Sequence, residues 1–307
     1  MATGPFTTLT PKITHSISRR PQYLSTDLRA YQILVDSNNH IVTAQNYGDP
    51  FNVTFGGDPN AYITGVLSKL NTNDPSLASF AATFESDPAQ APDPDSAEAA
   101  FSQVSLYPTQ EVGGTKYNVF NFAIARVTLQ GLTESANNVQ VFFRLFRAPA
   151  AGTFFSSYDP GSAYSSVAAT NGAVAPAPAL RMPTLGLDNG QVLTIPFFAA
   201  KRASVSPNNP DLANWQATIT PSSNGEPVYT YFGCWIDIND PTATVSFTVS
   251  PLLPPIALPL AALAASEHQC LVAEIAYAPL PIPSGSIPGL TTDLLAQRNL
   301  AVLGGAS

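Results

Sequence analysis

Val119-Phe-Asn-Phe-Ala-Ile-Ala-Arg-Val-Thr-Leu129 is the stretch on which the fold turns. Phe120, Phe122 and Ile124 fall on one side of an extended chain, and Ala123, Ala125, Val127 and Leu129 on the other. Successive side chains of a strand point to opposite faces. Both faces are therefore apolar near the middle, which suits a central strand covered on each side.

Strand patterns continue from there. Val139, Val141, Phe143 and Leu145 line one face of the next segment, and Gln140, Phe142, Arg144 and Phe146 the other. Five more runs read as strands: 192–198, 215–220, 228–238, 245–249 and 270–277. In the third, Val228, Thr230, Phe232, Cys234, Ile236 and Ile238 share a face, while Tyr229, Tyr231, Trp235 and Asp237 point the other way. Loops rich in Gly, Pro, Asn and Ser separate these runs, with no helical periodicity between them. The pattern predicts a mainly β chain built as an antiparallel sandwich, immunoglobulin-like or jelly-roll-like. Thr291 to Leu303 reads as a short helix or an apolar tail, with Thr292 as its N-cap.

Upstream the organisation changes. Residues 1–28 read as an extended arm rich in Thr, Ser, Pro and Arg, with Ile13, Ile17, Tyr23 and Leu28 spaced to lie on a neighbouring subunit. Residues 29–85 read as a small α+β region. It comprises a hairpin of Ala30–Val35 and His40–Ala44 about the Asp36–Asn39 turn, then helices over Ala61–Leu70 and Pro75–Phe84, the second capped by Asp74. Residues 86–116 read as a linker opened by the proline-rich, acidic Asp87–Ala100 stretch, and 117–307 as the sandwich domain. Pro251 to Ala265 is apolar but broken by four prolines. It is shorter than the ~20 residues of a spanning helix, so it reads as an extended cover over a hydrophobic surface and no membrane span is expected.

Charge is scarce. Asp, Glu, Lys and Arg make up 11% of the 307 residues, against roughly 25% in an ordinary soluble domain. The net charge is −8, and no basic patch exists beyond Arg19-Arg20 to meet a nucleic-acid backbone. Nucleic acid is not an expected partner. No basic segment followed by an apolar run opens the chain, so the sequence gives no export signal to read and leaves the compartment open.

Chemistry-bearing clusters are few. Glu267, His268 and Cys270 form a local group with nucleophilic potential, but Cys270 opens an apolar strand and a structural role is expected. Asp237, Asn239 and Asp240 supply oxygen ligands of the kind a calcium ion takes, and equally the residues of a turn before Pro241, the reading preferred. Cys234 and Cys270 read either as buried thiols or as a disulfide joining neighbouring strands or facing sheets. Tyr229, Tyr231 and Trp235 form an aromatic strip, expected to be covered by 251–265 or by a neighbouring molecule. No cofactor motif is found.

Several segments carry a family likeness. Asn121-Phe-Ala-Ile-Ala-Arg126, Val141-Phe-Phe-Arg-Leu-Phe146, Phe232-Gly-Cys-Trp-Ile-Asp237, His268-Gln-Cys-Leu-Val-Ala-Glu-Ile275 and Leu295-Ala-Gln-Arg-Asn-Leu300 resemble uncharacterised bacterial proteins akin to CARDB-type and other immunoglobulin-like sandwiches of cell-surface and adhesion proteins. The resemblance implies spacers or contact surfaces without a shared catalytic set. Composition and likeness together lead to the expectation of a non-enzymatic structural subunit, a homo-oligomer assembling into a shell, tail-like particle or surface filament. The alternative is an adhesin-like module binding glycan or protein through loops 148–180 and 201–214.

Overall fold

The computed structural model describes residues 23–42, 51–84, 103–131, 133–148, 166–168, 174–176, 194–197, 216–247, 256–259, 261, 268–280, 282 and 293–303. In chain order the strands are β1 (Tyr23–Val35), β2 (Gln103–Ser105), β3 (Thr109–Val112), β4 (Thr115–Gln130), β5 (Ala136–Ala148), β6 (Ser166–Ala168) and β7 (Val174–Pro176). They continue with β8 (Thr194–Phe197), β9 (Ala217–Ile219), β10 (Val228–Ile236), β11 (Thr244–Phe247), β12 (Ile256–Pro259), β13 (His268–Ala276) and β14 (Leu295–Leu303). Two helices, α1 (Pro59–Asn71) and α2 (Ala78–Ala82), lie between β1 and β2, with a 3₁₀ turn at Pro75–Leu77 before α2.

The chain is mainly β. One sheet runs β1-β4-β10, with β3 also paired to β4, and the other runs β2-β14-β13-β5-β8, with β9 also on β5. The pairings are antiparallel apart from β2 with β14, which is parallel. The doubly apolar stretch forms the middle of β4 and lies between β1 and β10. Its Ala123, Ala125, Val127 and Leu129 face the second sheet, together with Leu28, Ala30, Phe232 and Ile236. Val139, Val141, Phe143, Leu271, Ala273 and Ile275 meet them from that sheet, and all of these side chains are buried. This is the hydrophobic layer that holds the two sheets face to face.

The other face of β4 is covered as well. Phe122 and Ile124, with Tyr31 and Ile33 of β1 and Tyr231 of β10, pack under Phe51, Tyr62, Ile63, Val66 and Phe80. Ring centroids lie 4.6 Å apart for Phe51–Phe80, 4.9 Å for Tyr31–Phe51 and 5.0 Å for Tyr62–Phe122, within the range of favourable aromatic pairs. The result is three layers: helices, sheet, sheet. Trp235 packs at the edge of this cluster, 6.4 Å from Phe120. Of the aromatic strip of β10, Tyr231 and Trp235 pack against the helical layer that precedes β2, while Tyr229 is exposed. Of the apolar run 251–265, Ile256–Pro259 is β12, paired with β11.

Other expectations change in the same direction. Ala30–Val35 is the second half of β1, whose ladder to β4 runs from Tyr23 opposite Gln130 to Val35 opposite Asn118. The Asp36–Asn39 turn forms, with Asp36 Oδ1 accepting from the N–H groups of Asn38 and His40, and among the described residues the return segment contributes a bridge, Val35 to Ile41. The boundary drawn at residue 28 falls inside this strand. Tyr23 and Leu28 are therefore sheet positions, and Leu28 is 1% exposed in the inter-sheet core. Residues 103–116, read as linker, supply β2, β3 and the start of β4. The C-terminal segment is a strand and not a helix. Leu294 and Ala296 face the inter-sheet core while Leu295 between them is buried, a period of two that the leucine spacing conceals.

Where charge would ordinarily guard strand edges, amides do so here. Asn71, at the end of α1, donates from Nδ2 to Tyr231 O (3.0 Å) and accepts from Tyr231 N–H (2.8 Å), acting as a one-residue strand on the edge of β10. Asn121 of β4, fully buried, does the same to Ser105 of β2, at 2.8 and 2.9 Å, and so bonds one sheet to the other. Asn239 donates to the carbonyls of Tyr107 and Val119 at 3.1 and 2.8 Å.

Two outcomes follow from this packing. Asn121→Leu keeps the volume but strands the N–H and C=O of Ser105, each costing about 1–3 kcal/mol. Urea unfolding of the variant should show a loss of at least about 2 kcal/mol. Gly233 is where α1 rests on the sheet: a Cβ there would stand 2.9 Å from Ala123 O and 3.2 Å from Ile63 Cδ1. Gly233→Ala should cost about 1–3 kcal/mol by overpacking, read from the same unfolding curves.

Candidate functional site

At one end of the helix-covered face the side chains turn from aromatic to charged. In the register, Arg126 of β4 stands between Asp27 of β1 and Tyr231 of β10. Arg29 and Arg126 are 3% and 8% exposed, and their guanidinium carbons lie 4.6 and 5.1 Å from the centroid of the Phe84 ring. Arg126 also lies 4.5 Å from the Tyr229 ring centroid. Arg29 donates to Asp27 Oδ1 (3.0 Å), to Leu28 O (2.8 Å) and to Thr83 O, while Arg126 donates to Phe84 O (3.0 Å). Thr83 and Phe84 follow α2, so two cations from the sheet hold carbonyls that its final turn leaves without helical partners. Cation–π contact with Phe84 and Tyr229 adds to this anchorage.

Beside this anchor opens a cleft of about 350 Å³, toward the small end of the roughly 300–1,000 Å³ typical of ligand pockets. Leu70, Ala78, Ala81, Ala82 and Tyr229 give it an apolar lining, with Asp74 and Asn73 at its polar side. Tyr229 is 40% exposed. The cleft thus offers tyrosine rings, small aliphatic walls, the Asn73 carboxamide, the Asp74 carboxylate and the Arg126 side chain.

Asp74 caps the 3₁₀ turn as the sequence suggests, accepting from Ser76 N–H at 2.9 Å, and this bond is the main cause holding its carboxyl below the ordinary value of 3.8. A depressed folded-state value means stabilisation that is present above 3.8 and lost as pH falls through the folded-state value. Asp74→Ala should therefore lower the urea midpoint at pH 7, and the gap to the parent chain should narrow as the pH is taken below 3.8.

The remaining sequence-derived residues are dispersed. Asp240 makes a turn, its Oδ1 accepting from Thr242 N–H (2.8 Å) and Thr242 Oγ1 (2.7 Å), and Asn239 turns its amide nitrogen toward two carbonyls. Asp237 is buried beside them. Among the described residues no group of three or more His, Cys, Asp or Glu side chains is placed to hold a metal. Cys234 sits in β10 of one sheet, half-buried against the inter-sheet core, and Cys270 in β13 of the other. The side chains of His268 and Cys270 lie outside the described residues, as do Glu267, His15, Ile13 and Ile17 and most of loops 148–180 and 201–214. Among the described residues no helix is long and apolar enough to cross a membrane.

The paired arginines went unremarked in the sequence, though a signal was there. In a chain with 13 basic residues, Arg29 and Arg126 each interrupt an apolar strand run. A buried charge needs a partner, so such a residue marks a place where something packs on the sheet. No family model, curated protein or solved structure matches this chain.

Proposed function

We propose that the chain is a non-enzymatic structural subunit that associates with copies of itself into a larger particle or filament. The observation that carries this reading is the poverty of charge, 11% of residues with a net −8 over 307 positions. A surface with few ionised groups has little hydration to shed when a sister molecule covers it, so contact between copies carries a small desolvation cost. Exposed aromatic and aliphatic side chains support it: Tyr107, Tyr229 and Leu280 are 57%, 40% and 38% exposed.

The second reading, a monomeric binding module, is favoured by the cleft beside Tyr229. Light scattering on the purified 32.3 kDa chain separates the two. The subunit reading expects a mass several times that of one chain, rising with concentration. A single-chain mass at high concentration would refute it. A truncation meant to probe the arm has to stop at residue 22, because removing 23–28 takes away half of β1 and a core leucine.

A further inference from the structure

We propose that the cleft beside Tyr229 is the seat of the N-terminal segment, residues 1–22, of a neighbouring copy, the two copies exchanging these segments reciprocally. This rests on the self-association reading and names the contact through which it acts.

Position is the first argument. β1 begins at Tyr23, opposite Gln130 of β4, and on the far side of β4 Tyr229 stands opposite Thr128. Two strand spacings, about 10 Å, separate the root of the segment from the strand that lines the cleft. Root and cleft therefore share one end of the sheet. A two-fold axis near that end brings each root to the other molecule's cleft, which is what a closed, self-complementary exchange requires. Twenty-two residues span up to about 70 Å when extended, ample for the crossing.

Charge is the second. Residues 1–22 contain Lys12, Arg19 and Arg20 and no acid, a charge of +3. The rest of the chain then holds ten basic and twenty-one acidic residues, a charge of −11. At the cleft Arg126 is bonded to Phe84 O and stacked on rings, and Asp74 presents its carboxylate. Arg126 and Asp74 balance each other among the lining side chains, so the attraction is between the cationic segment and the −11 carried by the rest of the neighbouring copy. Chemistry of the walls is the third: Ala78, Ala81, Ala82 and Leu70 leave room beside the Tyr229 ring for branched aliphatic side chains, and the segment carries three, Leu9, Ile13 and Ile17.

The test uses the full-length chain with benzoylphenylalanine in place of Ile17. Isotopically light and heavy copies are mixed, irradiated and mapped by mass spectrometry, with light scattering on the same sample. The expected result is light–heavy cross-links to residues 70–82 or Tyr229. Ala78→Arg, at an exposed position in the cleft, should reduce them more than fivefold and lower the mass of the assembly without changing the thermal melt. An oligomer whose cross-links fall elsewhere overturns the exchange and leaves self-association standing. A single-chain mass, with cross-links confined to one copy, overturns both.

Discussion

A strand with apolar side chains on both faces has to be covered twice, and β4 imposes that demand on everything around it. One face is met by a second sheet, where small residues such as Ala123 and Ala125 lie opposite the branched side chains of β5 and β13. The other is met by α1, α2 and the residues leading into them, where the contacts are large and aromatic. The helices are therefore a third layer over the same strand. Gly233 allows that layer to come close, because any side chain there would run into Ala123 O and Ile63.

At three junctions backbone polar groups are satisfied with little use of ionic charge. Asn71, Asn121 and Asn239 each present a carboxamide to backbone groups of another segment. A carboxamide carries both a donor and an acceptor, like a peptide unit, so one side chain can complete a ladder that has no room for another strand. The buried cations follow a related rule. Arg29 and Arg126 reach the carbonyls after α2 and close on Phe84, which fixes the helical layer at one end of the sheet. The cleft is the space left beside that anchor.

Much of this architecture could be read from the residues alone. Alternation in 119–129, 139–146 and 228–238 located β4, β5 and β10, because period-two patterns survive whatever packs on them. The N-cap at Asp74 was equally visible. What failed was the assignment of partners. Tyr23–Val35 contains Ser25, Thr26, Asp27 and Arg29, which break the apolar rhythm and hide a thirteen-residue strand. Its charged positions make sense only beside Arg126 and Phe84, far away in sequence. The last strand was hidden differently, since Leu294, Leu295, Leu300 and Leu303 also fit a helical spacing, and only pairing with β13 and β2 decides between the two. The cleft was illegible for the same reason: its walls come from two helical segments and two strands that no local pattern connects.

Carboxamide seals are indifferent to ionic strength in a way that salt bridges are not. They share a different weakness. Hydrolysis of the Asn121 side chain to a carboxylate would exchange one nitrogen for oxygen, turning a donor toward Ser105 O into a second acceptor facing it. The junction between the two sheets would thus hold at high salt and open with the loss of a single side-chain nitrogen.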